Sequence, residues 1–164
     1  MLIRLSKISL VASSAFFLLL VVFNNLTDYG SNFEFVRHVL SMDTTFPGNQ
    51  GMWRALNSPV IHHAFYASII LWELVAGGLL AVAAWRMWKE RAESGDAWRK
   101  ATSLAVAGLT VSLLQWFIAF ITVGGEWFLM WQSSIWNGQT AAARMFTVFA
   151  LILIFLNQRD HDNV

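Results

Sequence analysis

Four stretches of the chain stay apolar long enough to cross a bilayer, and polar punctuation separates them. A hydrocarbon core of about 30 Å needs about 20 mostly apolar helical residues, and the pattern predicts spans over residues 6–24, 60–88, 101–123 and 140–156. The first is extended by Leu2 to Leu5. The second opens at Ser58 and Pro59, a good start because the fixed φ and missing N–H of proline suit a first helical turn. Arg4 and Lys7 ahead of an apolar run also describe a signal peptide. Val22, Phe23, Asn24 and Asn25 supply no small-residue cleavage site, however, so the first span reads as an uncleaved anchor. The expected architecture is all-α: residues 1–164 as one transmembrane domain, an integral membrane four-helix bundle with loops at 25–59, 89–100 and 124–139.

Orientation follows from the basic residues. Arg4 and Lys7 precede the first span, Arg86, Lys89, Arg91, Arg99 and Lys100 fall between the second and third, and Arg159 follows the fourth. The other side carries only Arg37 and Arg54 in its loops, so the positive-inside rule places both termini and the middle loop in the cytoplasm. Trp85, Trp88 and Trp98 are then expected at the inner interface and Trp53, Trp127, Trp131 and Trp136 near the outer one, where amphipathic rings prefer the headgroup level.

Both outer loops carry short helical patterns. Ser31 to Glu34 reads as a capping box. The helix that follows has Glu34, Arg37, His38 and Ser41 on one face, and Phe33, Val36 and Leu40, flanked by Phe35, Val39 and Met42, on the rest, a pattern that suits a helix lying on the membrane or capping the bundle. Asp43 to Gly51 is turn-forming. Glu126 to Trp136 repeats the arrangement on a smaller scale between Gly124-Gly125 and Asn137-Gly138, which suggests two halves related by an axis along the membrane normal. Glu34, Arg37, His38, Asp43, Trp131 and Trp136 are the candidate outer-cap residues.

Within the spans, two patterns stand out. Ala101, Ala105, Gly108, Ser112, Gln115, Ala119 and Thr122 share one face of the third. Small residues let helices approach in lipid and polar ones hydrogen-bond across the contact, so Ala105, Gly108, Ser112 and Ala119 read as a packing seam. His62, Tyr66, Glu73 and Gly77 share a face of the second, which puts a carboxyl near the middle of the bilayer, where a charge costs a few kcal/mol or more and must be neutralised, paired or hydrated. Arg144, with Thr140 and Thr147, forms a polar stripe on the fourth and is expected to pair with Glu73 directly or through Tyr66. His62, Tyr66, Glu73, Gln115 and Arg144 are therefore the candidate ligand-binding or buried polar residues.

Composition narrows the chemistry. With 57% hydrophobic and 13% charged residues among 164 and a formal net charge of +1, the chain fits lipid as solvent and offers no basic surface for nucleic acid. The lack of cysteine removes disulfides, thiolate catalysis and iron–sulfur ligation. His38, His62 and His63 sit at the outer boundary and His161 in the tail, which does not suit a haem held between helices. Neither a metal-ligand spacing nor a nucleophile motif is present, and no metal, cofactor or catalytic residue is expected.

Asn24-Asn25-Leu26-Thr27-Asp28-Tyr29, Asn32-Phe33, the run from His38 to Phe46, Trp131-Gln132-Ser133, Trp136-Asn137-Gly138-Gln139 and Arg144-Met145-Phe146 together resemble a bacterial family of predicted small integral membrane proteins, a domain of unknown function. The resemblance spans essentially the whole chain. It implies a bacterial inner-membrane protein with its most distinctive residues near the outer side, and no activity, substrate or cofactor.

Three functions fit these residues. A non-enzymatic accessory subunit, touching a membrane-protein partner or a second copy through the capped surface and the seam, asks least of the sequence. A small proton-coupled transporter would use Glu73. A quinone- or lipid-binding protein would line its site with His62, Tyr66, Trp72 and Trp116.

Overall fold

In a computed structural model, which describes residues 1–93 and 95–158, the chain is all-helical. Arg159 and His161 lie outside the described residues. Helix α1 spans Leu2–Thr27, α2 Tyr29–Ser41, α3 Pro59–Lys89, α4 Gly95–Leu114 and α5 Gln139–Asn157. Helix α4 continues without interruption as a π-helical segment, Gln115–Trp127, and 3-10 turns occupy Met52–Arg54 and Met130–Gln132.

Four of these helices, counting α4 with its π-helical extension as one, are long and apolar enough to cross a membrane, with mean hydropathy of 1.8 to 2.1 over their best windows. No more than 39% of any such window is buried inside the protein. The remainder faces outward, including Phe16, Leu71, Leu151 and Ile154. A continuous apolar exterior of this size is incompatible with water and natural in lipid. Trp85 and Trp88 are exposed at the end bearing the α3–α4 loop, under the Lys89 and Arg91 side chains at 4.0 and 4.2 Å. We refer to this as the basic end and to the end carrying α2 as the cap end. Trp98, in the first turn of α4 at the same end, is buried beneath Arg4, whose guanidinium carbon lies 4.8 Å from the ring centre.

The core is built from small and branched side chains on facing helices: Val11 and Leu18 of α1, Ala76, Leu80, Ala83 and Met87 of α3, Ala105 and Leu109 of α4, and Phe149 of α5. At two glycines the backbones approach closely. A Cβ on Gly108 would stand 2.8 Å from Leu80 Cδ2, and one on Gly77 3.1 Å from Leu19 Cδ2. The α4 seam is buried at Ala101, Ala105, Gly108, Ser112 and Gln115, but Ala119 is only half-buried and Thr122 is exposed. The reason is the change of helix. In the π-helical segment each turn takes up an extra residue, as the Phe128 N–H bond to Val123 O at 2.9 Å illustrates, and a stripe spaced for an α-helix rotates off the contact.

The cap end departs from expectation in one respect. Helix α2 does not open at a Ser31 capping box: α1 runs on to Thr27, the chain bends only at Asp28, and α2 begins at Tyr29 with no side-chain cap. The amphipathic pattern then does what it promised, since Val36, Val39 and Leu40 are buried and α2 packs across α3 and α1 as a roof. It stops at Met42, in the left-handed region at φ 53. That conformation costs a non-glycine residue roughly 1 kcal/mol or more, and it places the Met42 side chain, 2% exposed, into the cluster beneath α2.

Candidate functional site

Helix α3 carries its polar face inward at the cap end. His62, Tyr66, Glu73 and Gly77 are all buried, as their shared face predicts. Glu73 lies about 21 Å along the helix from Pro59 and about 24 Å from Lys89 at 1.5 Å per residue, hence near the mid-depth of the span.

The carboxyl group has a defined partner, and it is not Arg144. The Asn25 side chain donates to Glu73 Oε2 at 2.8 Å, while the Gln115 amide donates to the Ile69 carbonyl, one turn before Glu73, at 3.5 Å. Asn25 is held in turn: Asn32 of α2 donates to its Oδ1 at 2.8 Å and the Tyr66 hydroxyl to its backbone carbonyl at 3.2 Å. Arg144 is exposed on the outer face of α5, whose buried positions are Ala142, Phe149 and Leu156. It makes no ion pair with Glu73. The register of α5 is set by its three apolar contacts, which leave Arg144 on the far side of the helix. His62 also stands apart from Glu73: its Nε2 lies 2.6 Å from the Leu56 carbonyl and ties the preceding loop to the start of α3.

Beside Glu73 is a cavity of about 260 Å³, lined by Asn25, Tyr66, Glu73, Trp116 and the rings of Phe35 and Phe120, with the exposed Asn32 at its rim. Two buried polar atoms at the start of the π-helical segment lack partners. The Trp116 indole N–H, on a residue 8% exposed, and the Gln115 amide oxygen are buried without a hydrogen bond. Buried polar atoms are nearly always bonded, so each exception calls for an explanation such as strain, a functional role or a bound water. An apolar groove of about 200 Å³ adjoins the cavity and shares Phe35, Val36, Ile69 and Phe120 with it. Trp72, named with Tyr66 and Trp116 at the sequence level, lines this groove and anchors α3 to α4 through a 3.0 Å bond to Val111 O.

Above the cavity the two loops of the cap end form one lid. His38 is clamped between Asp43, 2.8 Å from Nδ1, and Arg37, 2.7 Å from Nε2, and its ring stacks on Trp136 at 4.6 Å. Arg37 donates twice to Glu34, at 2.8 and 2.6 Å, and these bonds hold the Glu34 carboxyl below its usual value while raising that of Arg37. Thr44 donates to Ser133 at 2.8 Å, the Phe46 N–H to Gln132 at 3.1 Å, and Trp131 meets Phe46 edge-on at 5.7 Å. Among the described residues no group of three or more His, Asp or Glu is placed to hold a metal ion.

A family model for predicted small integral membrane proteins, a domain of unknown function, matches residues 3–159. The chain belongs to that family. No curated protein and no solved structure matches it. The family membership fixes the integral membrane character and leaves the activity open. Within this member, the segments that carried the resemblance in the sequence, around Asn25, Asn32, His38 to Phe46, Trp131 to Ser133 and Trp136 to Gly138, are those that assemble the roof and the rim of the cavity.

Sequence reasoning missed Asn25 and Asn32. Asn25 was placed in a loop, one residue beyond the expected end of the first span, and its helical position only becomes visible once α1 runs unbroken to Thr27. A pair of amides seven residues apart, on the side of the chain facing a buried acid, was the available signal.

Proposed function

We propose that the protein binds a small amphipathic molecule inside the membrane, with the polar end of the ligand at Glu73 and its apolar part against the aromatic walls. One observation carries this reading: a buried carboxyl, already oriented by Asn25, faces a cavity walled by aromatic residues, among them Trp116. A residue retained only to fix helix register needs no adjoining space. A site that admits a ligand does.

This reading refines the lipid- or quinone-binding alternative and draws less on the transporter. Between Glu73 and the basic end the interior is filled by Ala76, Leu80, Ala83 and Met87, each fully buried. The basic end itself is tied by Arg4, which donates to the Arg91 and Glu93 carbonyls at 3.0 and 2.8 Å, and by Lys7, which donates to Gln158 O at 2.6 Å. Passage across the membrane would require these contacts to open, whereas binding from the cap side requires only the rim at Asn32. With the basic end in the cytoplasm of a bacterium, the site lies in the outer half of the inner membrane.

The test is purification in mild detergent from the native host, followed by mass spectrometry of small molecules, with Glu73→Gln as comparison. A small molecule enriched with the wild type and depleted with the variant supports the reading; equal recovery from both, or none, overturns it. A role as partner subunit draws on a separate feature, the exposed Arg144 on α5. Crosslinking from positions on that face to a second membrane protein is its test, and crosslinks to lipid alone overturn it.

A further inference from the structure

We infer that the ligand is a cationic amphipath, a long-chain organic ammonium, whose nitrogen meets Glu73 and whose chain lies in the groove between α3 and the π-helical end of α4. The inference rests on the binding function proposed above and adds the chemical class of the ligand. It stands on the charge of the cavity, the nature of its walls and the space beside it.

Among the described residues Glu73 is the one carboxylic acid lining the cavity, and no Lys, Arg or His lines it. Arg144, the cation expected to neutralise it, is turned away on the outer face of α5. The group that bonds the carboxyl is the amide of Asn25, which orients it without supplying charge. An acid so placed in a low-dielectric interior is complementary to a cation that arrives with the ligand. The remaining walls favour the same class. Tyr66, Trp116, Phe35 and Phe120 surround the cavity, with Trp116 and Phe120 rings 4.9 Å apart and Phe35 and Phe120 6.4 Å apart. Aromatic faces attract an ammonium through the ring quadrupole, most strongly where water is excluded.

The groove accounts for the rest of the molecule. Its lining is almost wholly apolar, it shares four residues with the cavity, and Phe65 and Ile118 on its walls are exposed to the surrounding lipid. The groove is therefore open to lipid on one side and bounded on the other by side chains that also wall the cavity at Glu73. The π-helical turn opens this space: it begins at Gln115, and from there Ala119 lies in the groove wall and Thr122 is exposed, off the α3 contact.

The experiment uses the full chain in nanodiscs of phosphatidylcholine, with empty discs subtracted and tryptophan fluorescence as the readout. The probes are dodecylammonium and dodecyltrimethylammonium, with 1-dodecanol and dodecanoate as neutral and anionic chains of equal length and butylammonium as a short one. The expected result is saturable binding of one ammonium per chain, at least about tenfold tighter than dodecanol. Glu73→Gln should remove that preference, and Ala119→Phe, which fills the groove, should weaken dodecylammonium while leaving butylammonium unchanged. The wild-type charge series decides the question even if a variant fails to fold. Saturable binding in which dodecanol or dodecanoate matches dodecylammonium overturns the cationic class and leaves the binding function standing. If no probe of any charge saturates, both fall together.

Discussion

Replacing Asn25 by Ala tests whether the buried carboxyl depends on its amide partner. The substitution removes the 2.8 Å bond to Glu73 Oε2 and leaves Asn32 without its acceptor. A hydrogen bond to a charged group contributes about 1.5–3 kcal/mol, against about 0.6 kcal/mol for an average neutral bond between helices in lipid. With Glu73 ionised, the cost should therefore be about 2 kcal/mol or more in the native protein. In a Glu73→Gln background the same bond becomes neutral, and Asn25→Ala should then cost about 1 kcal/mol less, since the Asn32 loss is common to both backgrounds and cancels. Unfolding of all four proteins by a denaturing detergent titration, in the same mild-detergent micelles, measures the difference. If Asn25→Ala costs the same with Glu and with Gln at position 73, the carboxylate is not what Asn25 stabilises, and the account of the site fails.

Three further perturbations separate the parts of the molecule. Gly108→Val should lower stability by about 1–3 kcal/mol because its Cβ meets Leu80 at 2.8 Å, and Leu80→Ala in the same chain should recover part of the loss, read as the shift in thermal midpoint. Arg144→Gln should change the stability of the isolated protein by no more than about 0.5 kcal/mol and leave ligand binding intact, because the side chain is exposed and unpaired with Glu73; a large loss in the same unfolding titration would restore the abandoned ion pair. Glu34 has its folded value lowered by Arg37, so its contribution to the lid is present above the ordinary value of 4.5 and is lost as pH falls below it. Protection of the α2 amides against hydrogen exchange, taken relative to their intrinsic rates at each pH, should fall over that range, and Arg37→Gln should remove that part of the dependence.

The spans, the amphipathic roof and the inward face of α3 were legible in the sequence because each is written in one helix alone, as run length or as a 3.6-residue period. The carboxyl's partner was not, because a partner is a property of two helices and of their relative rotation. Arg144 and Glu73 have plausible depths and opposite charge, yet α5 is turned by Ala142, Phe149 and Leu156, none of which differs in kind from the apolar residues facing lipid. Asn25 looked like the end of a span. The π-helical segment was likewise invisible, since Gln115 to Trp127 has no proline and reads as a continuation of α4 until its glycine pair. Its consequence is the loss of the packing stripe after Gln115, and that loss creates the groove.

These two illegible features belong together. An uninterrupted α-helix would have carried Ala119 and Thr122 onto the seam and closed α4 against α3 up to the lid, leaving Glu73 beneath a packed interface with only the Asn25 amide for company. Widening the helix from Gln115 onward withdraws those residues and leaves the groove, which shares four wall residues with the cavity beside the acid. The strength of a buried charge and the room to answer it thus have one structural cause, a register change in α4. A variant that restores α-helical spacing by deleting one residue within Gln115–Val123 should close the groove and abolish ammonium binding while leaving membrane insertion unchanged, as judged by extraction behaviour. If binding survives the deletion, the space beside Glu73 does not arise from the π-helical turn.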